Sequence, residues 1–540
     1  MVRIGCNWIG FAFLGLLLLS TSVWSVAGGI GGKTTAQGQP IAGAMITALA
    51  VSSDIAVTVF SAPDGTYRIE HLGSGSYNVS AKAPGQKTVP KTHILSREKV
   101  EHFDIELQID STFITEISSA RWLELLPEGD MKREFLLNCG SCHEVSHDRI
   151  MRNNAPRTSS DWAQAIALMR SIDVYGLTPP DFDDAHYAEW LAEHLDAKAI
   201  ARLVPAALPS GAVLNARITE YPVPKTPSLP HDLVIGSDGR VWITAFYNNV
   251  VWALDPATGK TTSYPVNENP AVMGQVRALS FDREGMLWVL LGGTQSVVRL
   301  NPKDGAIETF AVGMYPHSIE VDSTGKLWFN DYISKQERIG SIDPVNGKLE
   351  LFDMPSAGLT QAQGLPLLYG LQIGRDDVVW GTMLAANKLF SFDSKDKTAR
   401  LFDMPSPNSG PRRPGIAPDG SVWIAEFNTG TVTRFDPRSE TFERHELGLS
   451  TLGLYDVAVD QKSGHVWAAA SLGSAMLRLD PKTGQKDVFP FPTEPGYPRH
   501  IAIDPNNGDV WTTLSSMPDA EPKIVRIELS GGTNQIARDP

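Results

Sequence analysis

A tryptophan that follows a turn recurs seven times between positions 217 and 529 of this 540-residue chain. The seven segments are GRVWITAF, GMLWVLLG, GKLWFNDY, DVVWGTML, GSVWIAEF, GHVWAAAS and GDVWTTLS. Successive tryptophans lie 46, 40, 52, 43, 44 and 44 residues apart, a length that suits four short strands per repeat. Seven four-stranded units joined by polar turns predict a seven-bladed β-propeller over residues 215–530.

The two ends of the repeat region indicate how the ring closes. The seventh repeat ends at IVRIEL without a further outer strand, whereas the segment ARITEYPVP precedes the first repeat. We therefore expect residues 218–223 to pair with the last blade, which would remove exposed sheet edges.

Two further regions precede the repeats. Residues 28–111 alternate with the two-residue period of strands, as in AMITALAV and SYNVSAKA, and predict a small β-sandwich. Residues 112–205 change to helical spacing, as in MKREFLLNC and DDAHYAEWLAEHL, and predict a small all-α domain. The expected fold class is multidomain and mainly β.

The first 27 residues have the pattern of a secretory signal peptide. Arg3 precedes an apolar run, and the small residues Ser25 and Ala27 offer a cleavage site. An uncleaved anchor is the alternative. Cleavage predicts a periplasmic or secreted protein without a membrane span, and it removes Cys6, so that two cysteines remain.

The net charge of −14, with no basic stripe, argues against nucleic acid as the main partner.

Those two cysteines form the motif CGSCH, with Cys139, Cys142 and His143. The C-x-x-C-H spacing is the attachment signature of haem c: two thiols reach the vinyl groups of one porphyrin edge, and the histidine ligates the iron. A disulfide would need no histidine, a zinc site would need two more ligands, and a thioredoxin-like pair would need a βαβ context. We expect one covalent haem.

This region resembles the cytochrome c domain family, in versions that read CxxCH … R … W … M. The matching positions after the motif are Arg157, Trp162 and Met169. The resemblance implies that Met169 is the second haem-iron ligand opposite His143. Met151 and His147 are the rivals for that role, and packing in the core is the alternative explanation of Met169.

Two other resemblances concern the flanking regions. The run from GQPIAGAMITAL to YNVSAKAPG resembles the carboxypeptidase regulatory-like domain, which has a carbohydrate-binding-like fold. We expect it to be a scaffold with Tyr67 and Tyr77 in its core; the alternative is that it binds a glycan or a protein.

The repeats PHDLVIGSDGRVWITAF and PHSIEVDSTGKLWFNDY resemble the virginiamycin B lyase family. Its lyase members open a cyclic depsipeptide with a histidine base and magnesium.

Strand geometry suggests candidate catalytic residues in the propeller. A residue at the start of an inner strand and one at the end of the next strand should meet near the axis. His317 and Asp331 occupy these positions in the third repeat, and Glu426 occupies the second of them in the fifth. We also assign strand starts to His500, His231 and Arg412, and we take as catalytic candidates His317, Asp331, Glu426 and His500, with magnesium as a potential cofactor. The alternative is that these groups only hydrogen-bond around a wet channel.

Three hypotheses follow. The preferred one is an exported c-type cytochrome that transfers electrons, with the propeller as platform for a small-molecule substrate or a redox partner protein. The second is a magnesium-dependent lyase that acts on cyclic depsipeptides. Against it, Pro498 replaces the glutamate that the family has two residues before a histidine, and His231 and His500 have Ala245 and Leu514 where a carboxylate companion would stand. The third is a non-catalytic carbohydrate- or protein-binding sensor.

Overall fold

The structure is a computed structural model that describes residues 28–96, 99–172, 178–179, 181–224, 228–334, 336–516 and 520–529. The predicted signal peptide, residues 1–27, lies outside these ranges. None of the helices within them is both long enough and apolar enough to cross a membrane.

The repeat region consists of short antiparallel strands in groups of four. The first three groups are β14 (Pro230–Ile235), β15 (Val241–Ala245), β16 (Val250–Leu254) and β17 (Thr261–Pro265); β18 (Val276–Phe281), β19 (Leu287–Leu291), β20 (Ser296–Leu300) and β21 (Ile307–Ala311); and β22 (Pro316–Val321), β23 (Leu327–Asp331), β24 (Arg338–Ile342) and β25 (Leu349–Asp353).

The remaining groups have the same order. They are β26 (Leu368–Ile373), β27 (Val378–Met383), β28 (Lys388–Asp393) and β29 (Thr398–Asp403); β30 (Pro411–Ile416), β31 (Val422–Glu426), β32 (Thr431–Asp436) and β33 (Thr441–Glu446); β34 (Leu454–Val459), β35 (Val466–Ala470), β36 (Ala475–Leu479) and β37 (Lys486–Pro490); and β38 (Pro498–Ile503), β39 (Val510–Leu514) and β40 (Lys523–Glu528), with β13 (Arg217–Pro222) from before the first repeat.

Six of these groups are separate four-stranded sheets, the free-standing blades of a β-propeller. The seventh group, β38–β39–β40–β13, belongs to a fourteen-stranded sheet that continues into the N-terminal domain. The inner strands of neighbouring repeats contact one another around the ring, and β38 contacts both β34 and β14. The prediction of a mainly β multidomain chain with a propeller is confirmed. Six blades are separate sheets, and the last repeat is part of the sheet that continues into the N-terminal domain.

The repeated tryptophans explain why each group folds into a blade. Every one of them lies in a second strand and is at most 7% exposed. In the second and third repeats the indole Nε1 donates to the aspartate that opens the preceding turn, from Trp288 to Asp282 and from Trp328 to Asp322, both at 2.8 Å. The tryptophan therefore fixes its turn and fills the space between sheets.

The N-terminal β domain has ten strands around its own core. They are β1 (Gly29–Ala36), β2 (Gln39–Pro40), β3 (Met45–Ala50), β4 (Ala56–Phe60), β5 (Thr66–Ile69), β6 (Gly75–Ala83), β7 (Gln86–Lys87), β8 (Lys91–Leu95), β9 (Val100–His102) and β10 (Ile105–Ile109). Tyr67 and Tyr77 are 4% and 8% exposed in that core, as predicted, so neither offers an exposed aromatic platform.

Strand β13 joins the two β domains. It pairs along its whole length with β40, which confirms the predicted closure by residues 218–223 within one residue. Its other edge pairs with β4, with Thr219 opposite Val57. The sequence analysis did not predict this second pairing, which turns a blade's outer edge into the middle of a sheet and leaves no free edge there.

In the segment between the β domains, the described residues form six α-helices and a hairpin. The helices are α1 (Ser119–Leu123), α2 (Asp130–Asn138), α3 (His147–Ile150), α4 (Ser159–Ile172), α5 (Asp184–His194) and α6 (Ala197–Ile200), with 3₁₀ turns at Phe113–Glu116 and Gly211–Asn215 and the hairpin strands β11 (Met151–Arg152) and β12 (Ala155–Pro156).

A self-contained all-α cytochrome domain is not evident, contrary to the prediction. The segment includes a hairpin, and its buried residues belong to one apolar cluster with propeller residues such as Leu452 and Leu472. The Ala120 amide donates to Leu472 O at 2.7 Å, and Thr451 Oγ1 donates to Ala120 O at 2.7 Å. Helices as short as α1 and α3 cannot bury a core among themselves, so they use the face of the propeller.

We expect Thr219→Pro to weaken the molecule and to uncouple its two β domains. Proline removes a ladder hydrogen bond from a strand that is paired on both edges, and the partner group left unsatisfied costs about 1–3 kcal/mol. Calorimetry should show a second, lower transition for residues 28–111. The control is Thr309→Pro in the outer strand β21, which should weaken one blade only. A single wild-type transition for Thr219→Pro would contradict the proposed role of β13.

Candidate functional site

The C-x-x-C-H motif lies in the turn that follows α2. Cys139 is the C-cap residue of this helix, and its amide donates to Phe135 O. Gly140 packs closely, because a Cβ there would come within 3.2 Å of Leu472 Cδ1 and 3.1 Å of Leu136 O. Both cysteines are free thiols, and Cys142 is exposed. Burial raises the pKa of the Cys139 thiol to about 12, and Cys142 and Asp184 add to this.

Three propeller residues hold the backbone of this turn. Tyr497 Oη lies 2.9 Å from Gly140 O and 2.8 Å from Ser141 O, so its single hydroxyl hydrogen is shared between these two carbonyls. Arg412 Nη2 donates to Ser141 Oγ, and Arg499 Nη2 donates to Cys142 O at 2.8 Å. The motif therefore lies on the propeller face, over the start of the inner strands.

The second residue of each inner strand forms what we call the strand-start ring. In strand order its members are His231, Arg277, His317, Tyr369, Arg412, Tyr455 and Arg499. The first residue of each of these strands pairs with the end of the following strand in every repeat, so the register brings the same position to the axis seven times.

Contacts connect this ring across the axis. The imidazoles of His231 and His317 lie 6.0 Å apart, and His317 lies 4.4 Å from the Tyr369 ring. The Tyr369 hydroxyl donates a short hydrogen bond to the Tyr455 hydroxyl. Arg499 Nη1 donates to Tyr455 Oη at 3.0 Å. A continuous set of contacts thus runs from the Cys142 carbonyl through Arg499 and Tyr455 to His231, whose Nε2 lies 3.3 Å from the Tyr455 hydroxyl.

Burial sets the charge states of the ring. It lowers the pKa of His231 to about 3, although Asp232 opposes the shift, and it lowers the pKa of His317 well below its ordinary value. Both imidazoles are therefore neutral at neutral pH. Burial opposes ionisation of Tyr455, but the guanidiniums of Arg499 and Arg412 outweigh it and lower the pKa of that phenol.

A polar cavity of about 270 Å³ lies next to the ring, among the residues that follow it on the inner strands. Arg413 forms a bidentate pair with Asp232, at 2.8 and 2.9 Å, on its wall. Burial raises the pKa of Asp456, and it raises the pKa of Glu320 to about 8, although Arg413 opposes both shifts. His500 Nε2 lies 4.0 Å from Asp456 Oδ2 in the same wall.

Of the predicted catalytic set, the structure brings only His317 into the ring. Asp331 accepts from the Tyr315 amide and from Arg338 Nη2, within its own blade. Glu426 accepts from Thr429 and Thr433, also within its own blade. These carboxylates therefore hold the ends of second strands and do not face His317.

His500 is not a strand-start residue, contrary to the prediction. It is the third residue of β38, and Arg499 occupies the ring position. The error has a local cause. His500 precedes Trp511 by the same 11 residues that separate His317 from Trp328, but the turn of the seventh repeat is one residue longer, with residues 504–509 in place of 322–326.

The same count would have found two of the four ring residues that the sequence analysis missed. Arg277 and Tyr369 each precede their tryptophan by 11 residues, as His231, His317 and Arg412 do. Tyr455 and Arg499 precede theirs by 12, because the turns of the sixth and seventh repeats carry an extra residue. The ring positions could therefore have been located by counting back from each tryptophan, but only with the length of the intervening turn known.

The candidate distal ligands occupy three different environments. Met169 lies on α4 and is 36% exposed. Met151 packs at the edge of the cluster that the helices share with the propeller. His147 has its Nδ1 2.7 Å from Asp148 Oδ1 and its ring 6.1 Å from Trp122. Of the other two residues in the family resemblance, Arg157 lies over the buried Trp162 ring at 5.7 Å.

The structure does not gather a divalent-metal site in the propeller. Within the described ranges, no three His, Cys, Asp or Glu side chains lie close enough together to hold a metal ion. The carboxylates that the prediction assigned to magnesium are engaged inside their own blades.

Comparison with known proteins agrees with the two β domains. The Virginiamycin B lyase family matches residues 212–361, and the Carboxypeptidase regulatory-like domain matches residues 29–108. A curated relative, "Virginiamycin B lyase" of Nocardia farcinica, is 26% identical over 196 residues, which are 36% of this chain and 62% of the relative. The chain thus aligns with less than two thirds of that relative.

Solved structures show the same fold. A virginiamycin B lyase from Staphylococcus aureus has a TM-score of 0.51 at 19% identity, and it covers 58% of this chain and 99% of its own. A streptogramin B lyase structure has a TM-score of 0.52 at 19% identity, with 59% and 99% covered. The chain therefore carries a virginiamycin B lyase-like propeller and a carboxypeptidase regulatory-like N-terminal domain.

We expect Glu320→Gln to flatten the pH dependence of stability. With a folded pKa of about 8, Glu320 keeps its proton in the folded protein, whereas the unfolded side chain releases it near 4.5. The wild type should therefore lose stability as pH rises from 4.5 to 8. Asp232, Asp456 and Arg413 share the cavity, and Gln372 donates to Glu320 at 2.6 Å.

The measurement is the midpoint of urea unfolding between pH 5 and 9, with the exposed Glu268→Gln as control. The variant should gain stability relative to wild type as pH rises, and the control should follow the wild type. Parallel curves for all three proteins would contradict a proton held by Glu320.

Proposed function

We propose that this protein is an exported c-type haem protein that transfers electrons. One haem is attached at Cys139 and Cys142, His143 ligates its iron, and the propeller face is the platform for a substrate or a redox partner. The observation that carries the proposal is the contact of the C-x-x-C-H turn with Arg412 and Arg499 of the strand-start ring and with the neighbouring Tyr497. A haem on that turn and a molecule on the ring would be neighbours.

The residues of the turn fit a c-type haem. The two thiols are free and three positions apart, as attachment requires. His143 Nδ1 lies 2.7 Å from the Glu144 carbonyl, which can only accept, so Nδ1 carries the proton and Nε2 is the nitrogen suited to iron. A second bond of this kind orients most metal-ligating histidines.

Apolar surface on α4 also suits a porphyrin. Leu168, Met169 and Ile172 of α4 are 57%, 36% and 58% exposed. Their neighbour Arg170 pairs with Asp184 at 2.7 Å, and the charges of both residues act on the pKa of the Cys139 thiol. An exposed apolar stripe of this kind usually marks a surface that a ligand or partner covers. We assign Met169 as the distal ligand on this ground together with the family resemblance.

When bound, haem supplies one-electron chemistry. The chain itself supplies the fixed turn, two neutral imidazoles, and three guanidiniums of which two are buried, and these groups hold and orient what binds on the ring. We propose a scaffold role for the N-terminal domain, because β4 is hydrogen-bonded to the last blade through β13. Export is supported by the pattern of residues 1–27.

The lyase hypothesis has less support from the geometry. His317 is the predicted catalytic histidine that lies in the ring, and its nearest partners are tyrosines and a backbone carbonyl. A magnesium-dependent elimination would need carboxylate ligands beside it, and Asp331 and Glu426 are engaged elsewhere. Depsipeptide cleavage that is lost in His317→Ala and on chelation would restore this hypothesis.

We expect protein exported by a host that matures c-type cytochromes to carry one covalent haem. Intact mass and absorption spectra under denaturing conditions should show it, and Cys139→Ser/Cys142→Ser should lose it. His143→Ala should change the spectrum, because the iron loses a ligand, whereas the control His186→Ala, exposed on α5, should not. Wild-type protein without covalent haem after such maturation would end the proposal.

The same preparation tests the distal ligand. Met169→Ala should keep the haem attached and lower its reduction potential, since a methionine sulfur raises the potential of a histidine-ligated haem. Met151→Ala is the matched control and should leave the potential unchanged. The reverse pattern would assign Met151 instead.

A further inference from the structure

Three arginines of the strand-start ring lie without a carboxylate partner. Arg412 and Arg499 are 2% and 5% exposed, and Arg277 is partly exposed. Their recorded hydrogen bonds go to hydroxyls, backbone carbonyls and an imidazole, and within the described ranges none of them forms an ion pair. The adjacent Arg413 differs, because Asp232 neutralises it. Uncompensated buried charge is costly and points to an anion.

Aromatic rings support these guanidiniums without neutralising them. Arg412 lies 4.2 Å from the Phe427 ring and 4.3 Å from the Tyr455 ring, and Arg277 lies 4.4 Å from the Phe246 ring. Ionisation of Tyr455 would supply at most one negative charge against three positive ones, and both ring histidines are neutral. The ring therefore keeps an excess of at least two positive charges.

His317 adds a different requirement. Its Nδ1 lies 2.9 Å from the Tyr369 carbonyl, so Nδ1 carries the proton and Nε2 is an acceptor. This Nε2 is fully buried and has no hydrogen-bond partner among the described protein atoms. In contrast, His231 Nε2 faces Arg277 Nη1 at 3.4 Å and the Tyr455 hydroxyl. A molecule in the ring should therefore bring a hydrogen-bond donor to His317.

Arg277 is the one ring member that is not fully buried, and the helical segment shares its core with the later repeats. A molecule that reaches the ring from solvent would therefore pass Arg277. Next to Arg277, Phe246 packs on Tyr247, which is 46% exposed, and the chain before Arg277 exposes 48% of Met273. Apolar side chains beside a cationic entrance suit an anion that carries an apolar body.

We propose that the strand-start ring binds a small hydroxycarboxylate with an apolar body: Arg277, Arg412 and Arg499 take the carboxylate, and the hydroxyl donates to His317 Nε2. The site rests on the ring alone and does not depend on the proposed haem. Carboxylate chemistry has two sources here, a free small molecule or the propionates of a haem on the neighbouring turn, and the experiment separates them.

The test is calorimetric titration with mandelate, with phenylacetate, which lacks the hydroxyl, and with the neutral mandelamide. Wild-type protein should bind mandelate about tenfold more tightly than phenylacetate, the equivalent of one hydrogen bond of roughly 1.4 kcal/mol, and should not bind mandelamide. Arg277→Gln should weaken mandelate at least tenfold. His317→Ala should remove the preference for mandelate over phenylacetate.

Arg299→Gln is the matched control, because this arginine lies on β20, away from the ring, and is paired with Glu284. It should leave binding unchanged, and circular dichroism should show that all variants are folded; Arg277→Lys replaces Arg277→Gln if the latter is not. Equal affinity for mandelamide, or mandelate binding that survives Arg277→Gln, would overturn the proposal.

The same titrations on Cys139→Ser/Cys142→Ser identify the source of the carboxylate. Binding to both proteins supports a free hydroxycarboxylate ligand. Binding only to the cysteine variant supports the carboxylate site and identifies haem propionates as its occupant in the wild type. No binding of mandelate to either protein overturns the proposal. The absence of covalent haem in the wild type would end the proposed function but would not affect the evidence for the hydroxycarboxylate site.

Discussion

The structure depends on the convergence of seven inner strands whose second residues meet on one face of the ring. Because the register between first and second strands is the same in every repeat, each repeat delivers one side chain to this place, and the set is two histidines, three arginines and two tyrosines. Apolar side chains at these seven positions would have packed together and closed the centre of the ring. Instead, polar groups remain buried, and their hydrogen-bonding needs determine what can lie above them.

What lies above them is the helical segment. Its short helices bury their apolar side chains on the propeller, and the turn after α2 presents its carbonyls to Arg412, Arg499 and Tyr497. The C-x-x-C-H motif and the ring are therefore parts of one site. The proposed electron transfer uses the thiols and His143 and relies on this proximity, whereas the proposed hydroxycarboxylate binding uses the guanidiniums and His317 of the ring alone.

Much of the fold could be predicted from the sequence, because its signals are periodic. The repeated tryptophans indicated the second strands, and the strand-like segment ARITEYPVP before the first repeat indicated the closing strand β13. The pairing of β13 with β4 could not be predicted, since strand partners across domains leave no local pattern. The sharing of a core between helices and propeller was missed for the same reason.

The site was predicted less completely. His317 was found because the repeat pattern located its strand start correctly, but Asp331 and Glu426 were assigned from chain position alone, and the structure shows that each satisfies donors in its own blade. His500 was misplaced by a single extra turn residue. Alternation along a strand turns a one-residue error into the wrong layer of the channel, which is why Arg499 was missed.

The most direct test of the account is a double-mutant cycle between the turn and the ring, with Ser141→Ala, Arg412→Gln and the combined variant, read as free energies of unfolding. Arg412 donates to Ser141 Oγ across the contact that joins the two parts of the site. The account predicts a coupling of about 1 kcal/mol between the two substitutions. Strict additivity would contradict it, because the turn would then not lie on the ring.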